Sequence, residues 1–472
     1  MSSQLAVGFD LDMTLIDTVP GFAATLRALG DELGVGFPVE EMTARLGPPL
    51  EQLLEPHLAA EAVGAAGDRF RELYVDHAVS SVPVLAGAHE AIAAVRRQRG
   101  RVVLVTGKFP RNAQLHVDHL GLDVDLIEGW VWGVGKAEVL TREGIGIYVG
   151  DHVHDVEGAR AAGVLSVSVL TGGCTREELE AAGTDVLLES LEEFPAWLED
   201  HLLEIRLQEL ERDLRARGSV LVAYSGGADS AFLLAAAVRA LGPERVVAAT
   251  GYSHSLPEAE RDPAREFAAG LGVDLLTPET HEMERAGYRA NGGDRCFFCK
   301  AELIEVLTPL AEARGIGTVA TGTNADDAVA GFRPGIRAAD ERGAAAPLRD
   351  AGLTKAQVRE ASRRWGLPTW DKPAAACLSS RVAYGVEVTP HRLARVERAE
   401  AAVRGLLEGQ GLRNLRVRDL GDRASVELDA ALLPLAADIE AEVDAAVRDA
   451  GFDEVHVDEK GFRSGSMNER LR

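Results

Sequence analysis

The chain has 472 residues, 46% of them hydrophobic and 26% charged, which predicts a globular protein too long for one hydrophobic core and so two or three domains. A formal net charge of -25 argues against a general binder of DNA or bulk RNA, whose affinity rests on neutralising phosphates with Lys and Arg. Four cysteines do not make a disulfide scaffold in a chain of this size, and neither a signal peptide nor a membrane-length apolar run is read, so a cytoplasmic protein with no membrane or nucleic-acid partner is expected.

In chain order, LAVGFDLDMTLID reads as a buried strand running into a polar turn, and GRVVLVTGK and GIGIYVGDHVHD repeat that grammar after amphipathic helical stretches. Such alternation predicts an α/β fold with a parallel sheet. Residues 20–82 are mostly helical in pattern and interrupt it, so they are read as a helical cap. After DVLLES comes a charged helical stretch and then a new strand, SVLVAYSGGADS, with no Gly/Ser linker between. A second α/β unit follows, and from Val386 a smaller α+β region with a long helix, Pro390 to Gly405, and strand-like LRVRDLGDRASVEL. The expected domains are residues 1–203, 204–385 and 386–472.

Asp10, Asp12 and Thr14 stand just beyond the first strand, where parallel sheets place their chemistry. Thr106 ends the strand VVLVT, Lys136 follows in GVGK, and Asp151 and Asp155 stand in GDHVHD. One carboxylate can attack phosphorus, a second can protonate the leaving oxygen, and a hard cation held by others can neutralise the phosphoryl group. In this order the residues resemble the haloacid dehalogenase-like phosphatases over essentially all of residues 1–200. The resemblance implies a Rossmann-like domain with Asp10 as nucleophile, Asp12 as general acid/base, and Thr106 and Lys136 on the phosphoryl oxygens. It also implies Mg²⁺ on Asp10, Asp151 and Asp155, with the backbone carbonyl of Asp12 contributing. Lys136 is followed by AEVL, not the proline-rich continuation of phosphoglycolate phosphatase relatives, so the substrate stays open. A phosphatase fold serving without turnover, as sensor or scaffold, is the alternative.

VAYSGGADS joins a strand to an apolar helix. Gly226 and Gly227 let the backbone approach a ligand, while Ser225, Ser230 and the helix amides offer donors to phosphate oxygens. It lacks the Gly-Lys-Ser/Thr of a Walker loop. Downstream, GTNADD supplies Asn324, Asp326 and Asp327, suited to nucleotide or Mg²⁺, or else to capping the next helix. The loop resembles the PP-loop of ATP pyrophosphatases, which implies a second Rossmann-like domain that takes ATP as co-substrate, with Asp229 beside the nucleotide.

Cys377 lies in AAACLSSR, and Cys296 and Cys299 form C-x-x-C in RCFFCK. Together with FRPGIRAA, LTKAQVRE, GLPTWDKPAAACLSSR, YGVEVT, RVRDLGDRASVEL and GFRSGS, these segments resemble the LarE family, ATP-dependent sulfur transferases of nickel-pincer nucleotide biosynthesis, from about residue 205 onward. The resemblance implies adenylation of a pyridinium biscarboxylic acid mononucleotide and replacement of an oxygen of each carboxylate by sulfur. Two sulfur sources are open. Cys377 gives up its own sulfur and becomes dehydroalanine, or the three thiols hold a four-iron four-sulfur cluster that carries an extra sulfide. Arg416 and Arg418 alternate on a strand and share a face suited to gripping a phosphate, and Glu400 and Glu427 fall at family positions near the substrate and metal sites. A homo-oligomer is expected. A PP-loop tRNA thiolase shares this chemistry but calls for a basic RNA-binding segment that is not read here.

Overall fold

The computed structural model describes residues 4–44, 46, 48–329, 331–373, 376–463 and 467. The first two alanines of AAACLSSR and the last three residues of GFRSGS lie outside the described residues. The chain divides into two compact units, Met1–Leu202 and Leu203–Arg472.

In the first unit six strands, β1 (Ala6–Phe9), β2 (Arg101–Val105), β3 (Leu126–Glu128), β4 (Ile147–Gly150), β5 (Leu165–Val169) and β6 (Val186–Leu188), form one sheet. Their order is β3-β2-β1-β4-β5-β6, and every pairing is parallel. β1, β2 and β4 are almost wholly buried runs rich in Val and Ile, as strands covered on both faces must be. Val7, Phe9, Leu104, Val149 and Val167 build the core with Ile92, Val95 and Val117 from the helices. Because β1 lies between β2 and β4, the connections diverge at its carboxyl end and leave a crevice there. The insertion between β1 and β2 is helical, with its two long helices at Val19–Leu33 and Ala60–His77. These carry a core of their own, with Phe22, Leu26, Leu29, Phe70 and Leu73 buried together.

The second unit holds a second parallel sheet of β7 (Val220–Ala223), β8 (Val246–Ala249), β9 (Asp274–Leu276) and β10 (Val319–Thr321), in the order β10-β7-β8-β9. Here β7 occupies the position that β1 has in the first sheet. A third sheet contains β11 (Leu415–Asp419), β12 (Arg423–Leu428) and β13 (Glu454–Val457); β11 and β12 are antiparallel, β12 and β13 parallel. The helix Pro390–Leu406 lays Leu393, Val396, Ala399 and Val403 on this sheet, and Tyr288, Leu378 and Val382 join the same core. Among the described residues no helix is long and apolar enough to cross a membrane.

Asp419 closes β11 and is 0% exposed. It accepts hydrogen bonds from Arg392 Nη1 (2.9 Å), Arg395 Nε (2.9 Å), Arg395 Nη2 (2.7 Å) and the amide of Gly421 (3.0 Å). Removing a buried ion's partner leaves the other charge uncompensated, at a cost of about 3–5 kcal/mol. Asp419→Ala is therefore expected to lower the urea unfolding free energy of the second unit by about that amount. A loss below about 1 kcal/mol, the range of an exposed pair, would show that this ion network is not what fastens the third sheet.

Candidate active sites

At the carboxyl edge of the first sheet, Asp10 and Asp12 follow β1 and Asp151 and Asp155 follow β4. One carboxylate oxygen from each of Asp10, Asp151 and Asp155 lies within 4.8 Å of the other two. Thr14 Oγ1 donates to Asp151 Oδ1 at 2.8 Å, and Lys136 Nζ donates to Asp155 Oδ1 at 2.5 Å and lies 3.5 Å from Asp10 Oδ1. Asp10 Oδ1 is buried and has no hydrogen-bond partner. Burial, followed by the charges of Asp155 and Asp12, pushes the Asp10 carboxyl up to about 7 against the pull of Lys136. Burial and the carboxylates of Asp155 and Asp10 likewise raise Asp151 well above its ordinary value. Burial disfavours the Lys136 ammonium, but Asp10 and Asp155 outweigh it and hold Lys136 above the usual lysine value. Three converging hard oxygen donors with one ammonium among them fit a divalent cation such as Mg²⁺.

Asp12 stands apart from that triad. It accepts from Lys108 Nζ at 2.5 Å and from the hydroxyl of Thr18. Burial would raise its carboxyl, but the Lys108 charge and hydrogen bond hold it below the usual aspartate value. Lys108 in turn lies 4.7 Å from the ring centre of Tyr74, whose hydroxyl is 3.1 Å from Nε2 of buried His116. Thr106 is buried at the end of β2, and its hydroxyl accepts from the Lys108 amide at 3.2 Å; it does not line the cavity in which Asp10, Asp12, Lys136, Asp151 and Asp155 meet. Sequence reasoning missed Lys108, although it stands two residues after Thr106 in VVLVTGK.

In the second unit the chain leaves β7 through Tyr224 and Ser225, turns at Gly226 with φ +72°, and enters the helix Ala228–Leu241. That φ is left-handed, which glycine takes without a Cβ penalty. The Ser225 amide donates to Ser230 Oγ (3.3 Å), the two serine hydroxyls are 3.1 Å apart, and Ser230 Oγ donates to the Gly227 carbonyl (3.1 Å). Gly227 caps the helix with no side-chain acceptor, so the first-turn amides are left for another one. Lys372 Nζ donates to the Gly226 carbonyl (3.0 Å) and to Glu260 (2.6 Å), and Lys355 Nζ is 3.6 Å from Asp229. Burial raises the Asp229 carboxyl, against Lys355.

A cavity of about 360 Å³ adjoins this loop, and its wall includes Ser225, Gly227, Asp229, Ser230 and Asp327 together with Cys299 and Cys377. Gly226, Asn324, Asp326 and Cys296 are not on that wall. Asn324 Oδ1 accepts from the amides of Asp326 (3.0 Å) and Asp327 (3.1 Å), and Asp326 accepts from the amide of Lys355 (2.8 Å). The geometry seen for these two residues is that of caps.

Cys296 and Cys299 lie in the first turn of the helix Arg295–Glu312, three residues apart and so on one face. Burial pushes the Cys299 thiol far up, and Cys377 adds to this. The three sulfurs of Cys296, Cys299 and Cys377 do not all fall within 4.8 Å of one another. Ser379 Oγ donates to Cys377 Sγ at 3.5 Å. Behind it Tyr288 Oη lies 2.7 Å from Ser379 Oγ and 2.9 Å from Ser255 Oγ, which donates to Glu282 at 2.7 Å. No local motif announces this relay.

The four residues expected near the substrate are not on the cavity wall. Arg381 pairs with Glu400 (2.9 Å) and donates to the Cys377 carbonyl (2.9 Å), while Glu400 also accepts from the Val417 amide (3.1 Å). Arg418 pairs with Glu427 (2.8 Å) and donates to the Ser380 carbonyl (3.2 Å). Arg416, opposite Glu427 in the β11–β12 register, lies 5.5 Å from the Phe462 ring centre, and burial, then Arg381, lowers its guanidinium to about 10. In this geometry Glu400, Arg418 and Glu427 brace the segment that carries Cys377.

The acidic triad makes a metal-binding prediction. Asp155→Asn is expected to weaken Mg²⁺ binding, read by titration calorimetry, by at least about tenfold, and Asp12→Asn by less than about threefold. Equal losses would place the ion elsewhere.

A family model described as haloacid dehalogenase-like hydrolase matches residues 5–163, and a second model of that group matches residues 144–194. A phosphoglycolate phosphatase of Chromobacterium violaceum is 27% identical over 40% of this chain and 93% of its own length. An uncharacterized protein of Synechocystis is 39% identical over 57% of this chain and 99% of its own length. The pyridinium-3,5-bisthiocarboxylic acid mononucleotide synthase of Lactiplantibacillus plantarum is 32% identical over 53% of this chain, its C-terminal half, and over 90% of its own length. The chain thus belongs to the family of that synthase, the LarE family, and carries a haloacid dehalogenase-like hydrolase domain ahead of the matching half.

Proposed function

We propose that the chain joins two enzymes, a Mg²⁺-dependent phosphohydrolase in the first unit and, in the second, an ATP-dependent sulfur transferase that acts on a pyridinium biscarboxylic acid mononucleotide. The observation that carries the second half is that the Ser225–Ser230 loop and the Cys377 thiol line one cavity. An acyl-adenylate formed at the loop lies within reach of sulfur without leaving the site.

In the first unit Asp10, whose Oδ1 is free of hydrogen bonds, attacks phosphorus. The ester P–O bond breaks, and its electron pair leaves with the alcohol oxygen, which takes the proton held between Lys108 and Asp12. Asp12 then removes a proton from water, which hydrolyses the aspartyl phosphate to orthophosphate. Lys108 and Thr18 hold Asp12 toward the leaving group, and Lys136 steadies the phosphoryl oxygens. Mg²⁺ on Asp10, Asp151 and Asp155 would neutralise their charge.

In the second unit the helix amides and loop hydroxyls receive the ATP phosphates under the cationic influence of Lys355 and Lys372. A substrate carboxylate oxygen attacks the α-phosphorus and displaces pyrophosphate. Sulfur then attacks the acyl carbon, and AMP departs with that oxygen. A four-iron four-sulfur cluster on Cys296, Cys299 and Cys377 would supply the sulfur as an additional sulfide. The hydrogen-bonded run from Glu282 to Ser379 fixes the Cys377 side chain facing the acyl group.

Two variants test the proposal. Asp10→Asn is expected to lower phosphate release from p-nitrophenyl phosphate by at least about a thousandfold while thiocarboxylate formation continues. Cys377→Ser is expected to do the converse and still release pyrophosphate from ATP. A single folded variant that lost both activities would contradict the division of labour.

A further inference from the structure

We propose that the monoester taken by the first unit carries a planar heteroaromatic ring on its alcohol, as a nucleoside monophosphate does. The proposal rests on the reading of that unit as a phosphohydrolase and adds the class of its substrate.

The cavity that holds Asp10 and Asp12 continues into an aromatic chamber. Phe109, Trp130 and Trp132 wall it from the sheet side, and Phe22, Phe70 and Tyr74 from the helical insertion. Trp130 is no core residue, being 45% exposed, and its backbone sits at φ +66°. A bulky side chain in the left-handed region is strained, and such strain persists where neighbouring contacts impose it, most often at ligand sites. Those contacts are visible: the Trp130 amide donates to the Lys108 carbonyl (3.0 Å) and the Val131 amide to the Thr106 carbonyl (3.0 Å). The strained turn is thereby tied to the segment whose Lys108 grips Asp12.

Trp132 is seated equally close. A Cβ on Gly107 would lie 2.2 Å from Trp132 Nε1, so only glycine lets the indole rest on the turn between Thr106 and Lys108. Trp130 meets Phe109 and Trp132 edge to face, with ring centres at 5.1 Å and 6.0 Å. The Arg71 guanidinium lies 4.8 Å from the Trp130 ring centre and adds a second flat surface. Flat π-faces of this kind hold a base by stacking.

The lysines and the arginine on the wall already have carboxylate partners, so the flat rings and not a free cation set the choice of ester: Lys108 pairs with Asp12, Lys136 with Asp155, and Arg71 with Glu51 and Asp68. The proposed chemistry of the second unit supplies two ring-bearing ribose monophosphates, the AMP it releases and the pyridinium mononucleotide it consumes.

The test uses the full chain with Mg²⁺ and compares orthophosphate release from AMP, the pyridinium biscarboxylic acid mononucleotide, glycerol 3-phosphate and phosphoglycolate. At least one ring-bearing ester is expected to exceed both aliphatic ones in kcat/KM by about tenfold or more. A lead for AMP identifies the adenylation by-product as the source, and a lead for the pyridinium ester identifies the precursor; either supports the proposal. Trp130→Ala is expected to cut the ratio of ring-bearing to aliphatic kcat/KM by about tenfold, and Trp130→Phe to retain most of it. Aliphatic esters hydrolysed as well as ring-bearing ones would overturn the substrate class alone. No orthophosphate from any of the four would overturn the phosphohydrolase reading, and the proposal with it.

Discussion

Parallel pairing delivers the chain to the same edge of a sheet after every strand, and both candidate sites are built on that constraint. In the first unit the loops after β1, β2 and β4 bring Asp10 and Asp12, Lys108, and Asp151 and Asp155 to one place. In the second the loops after β7, β8 and β10 bring the Ser225–Ser230 turn, Ser255 and Asp327 together. In each sheet the strand at the switch point, β1 or β7, supplies the first of these groups. A change that spoiled the sheets would remove both chemistries before any reacting group was touched.

What the two edges collect is electrostatically opposite. The first gathers carboxylates under conditions that raise Asp10 to about 7, and a single ammonium, Lys136, offsets them only in part. A divalent cation completes that balance, and phosphoryl oxygens can then approach. The second gathers amides at a helix start, with Lys355 and Lys372 close by, a setting that suits anionic oxygens. Two of its thiols, Cys299 and Cys377, line the same cavity, and burial keeps Cys299 from ionising readily. The Cys377 sulfur accepts a hydrogen bond from Ser379 Oγ.

Residues close in sequence at strand ends were readable because the strand itself aims them. Asp10 with Asp12, Asp151 with Asp155, and SGGADS belong to this class, and so does the helical cap, whose 3.6-residue period marks residues 20–82 as an insertion. Groups joined only by tertiary contact were not readable. Lys108 reaches Asp12 across the β1–β2 crossover, and the run from Glu282 through Ser255, Tyr288 and Ser379 to Cys377 draws on four separate segments. Alternation placed Arg416 and Arg418 on one face of β11, but it could not say that Glu427 on β12 would meet Arg418 there. GTNADD was ambiguous for a physical reason. An asparagine that caps a helix and one that binds a nucleotide need the same short amide at the same turn, and of Asn324, Asp326 and Asp327 only Asp327 lines the cavity.

The most direct test of the account follows an oxygen atom through both units. The pyridinium biscarboxylic acid mononucleotide is labelled with ¹⁸O in its carboxylates and turned over once with ATP by the Asp10→Asn chain, and the phosphorus products are read by mass spectrometry. Adenylation followed by sulfur transfer predicts one labelled oxygen in AMP for each sulfur installed, and none in pyrophosphate. The unaltered chain should pass that label from AMP into orthophosphate if AMP is the ester its first unit takes. Label in pyrophosphate, or thiocarboxylate formed without labelled AMP, would contradict an acyl-adenylate at the Ser225–Ser230 loop.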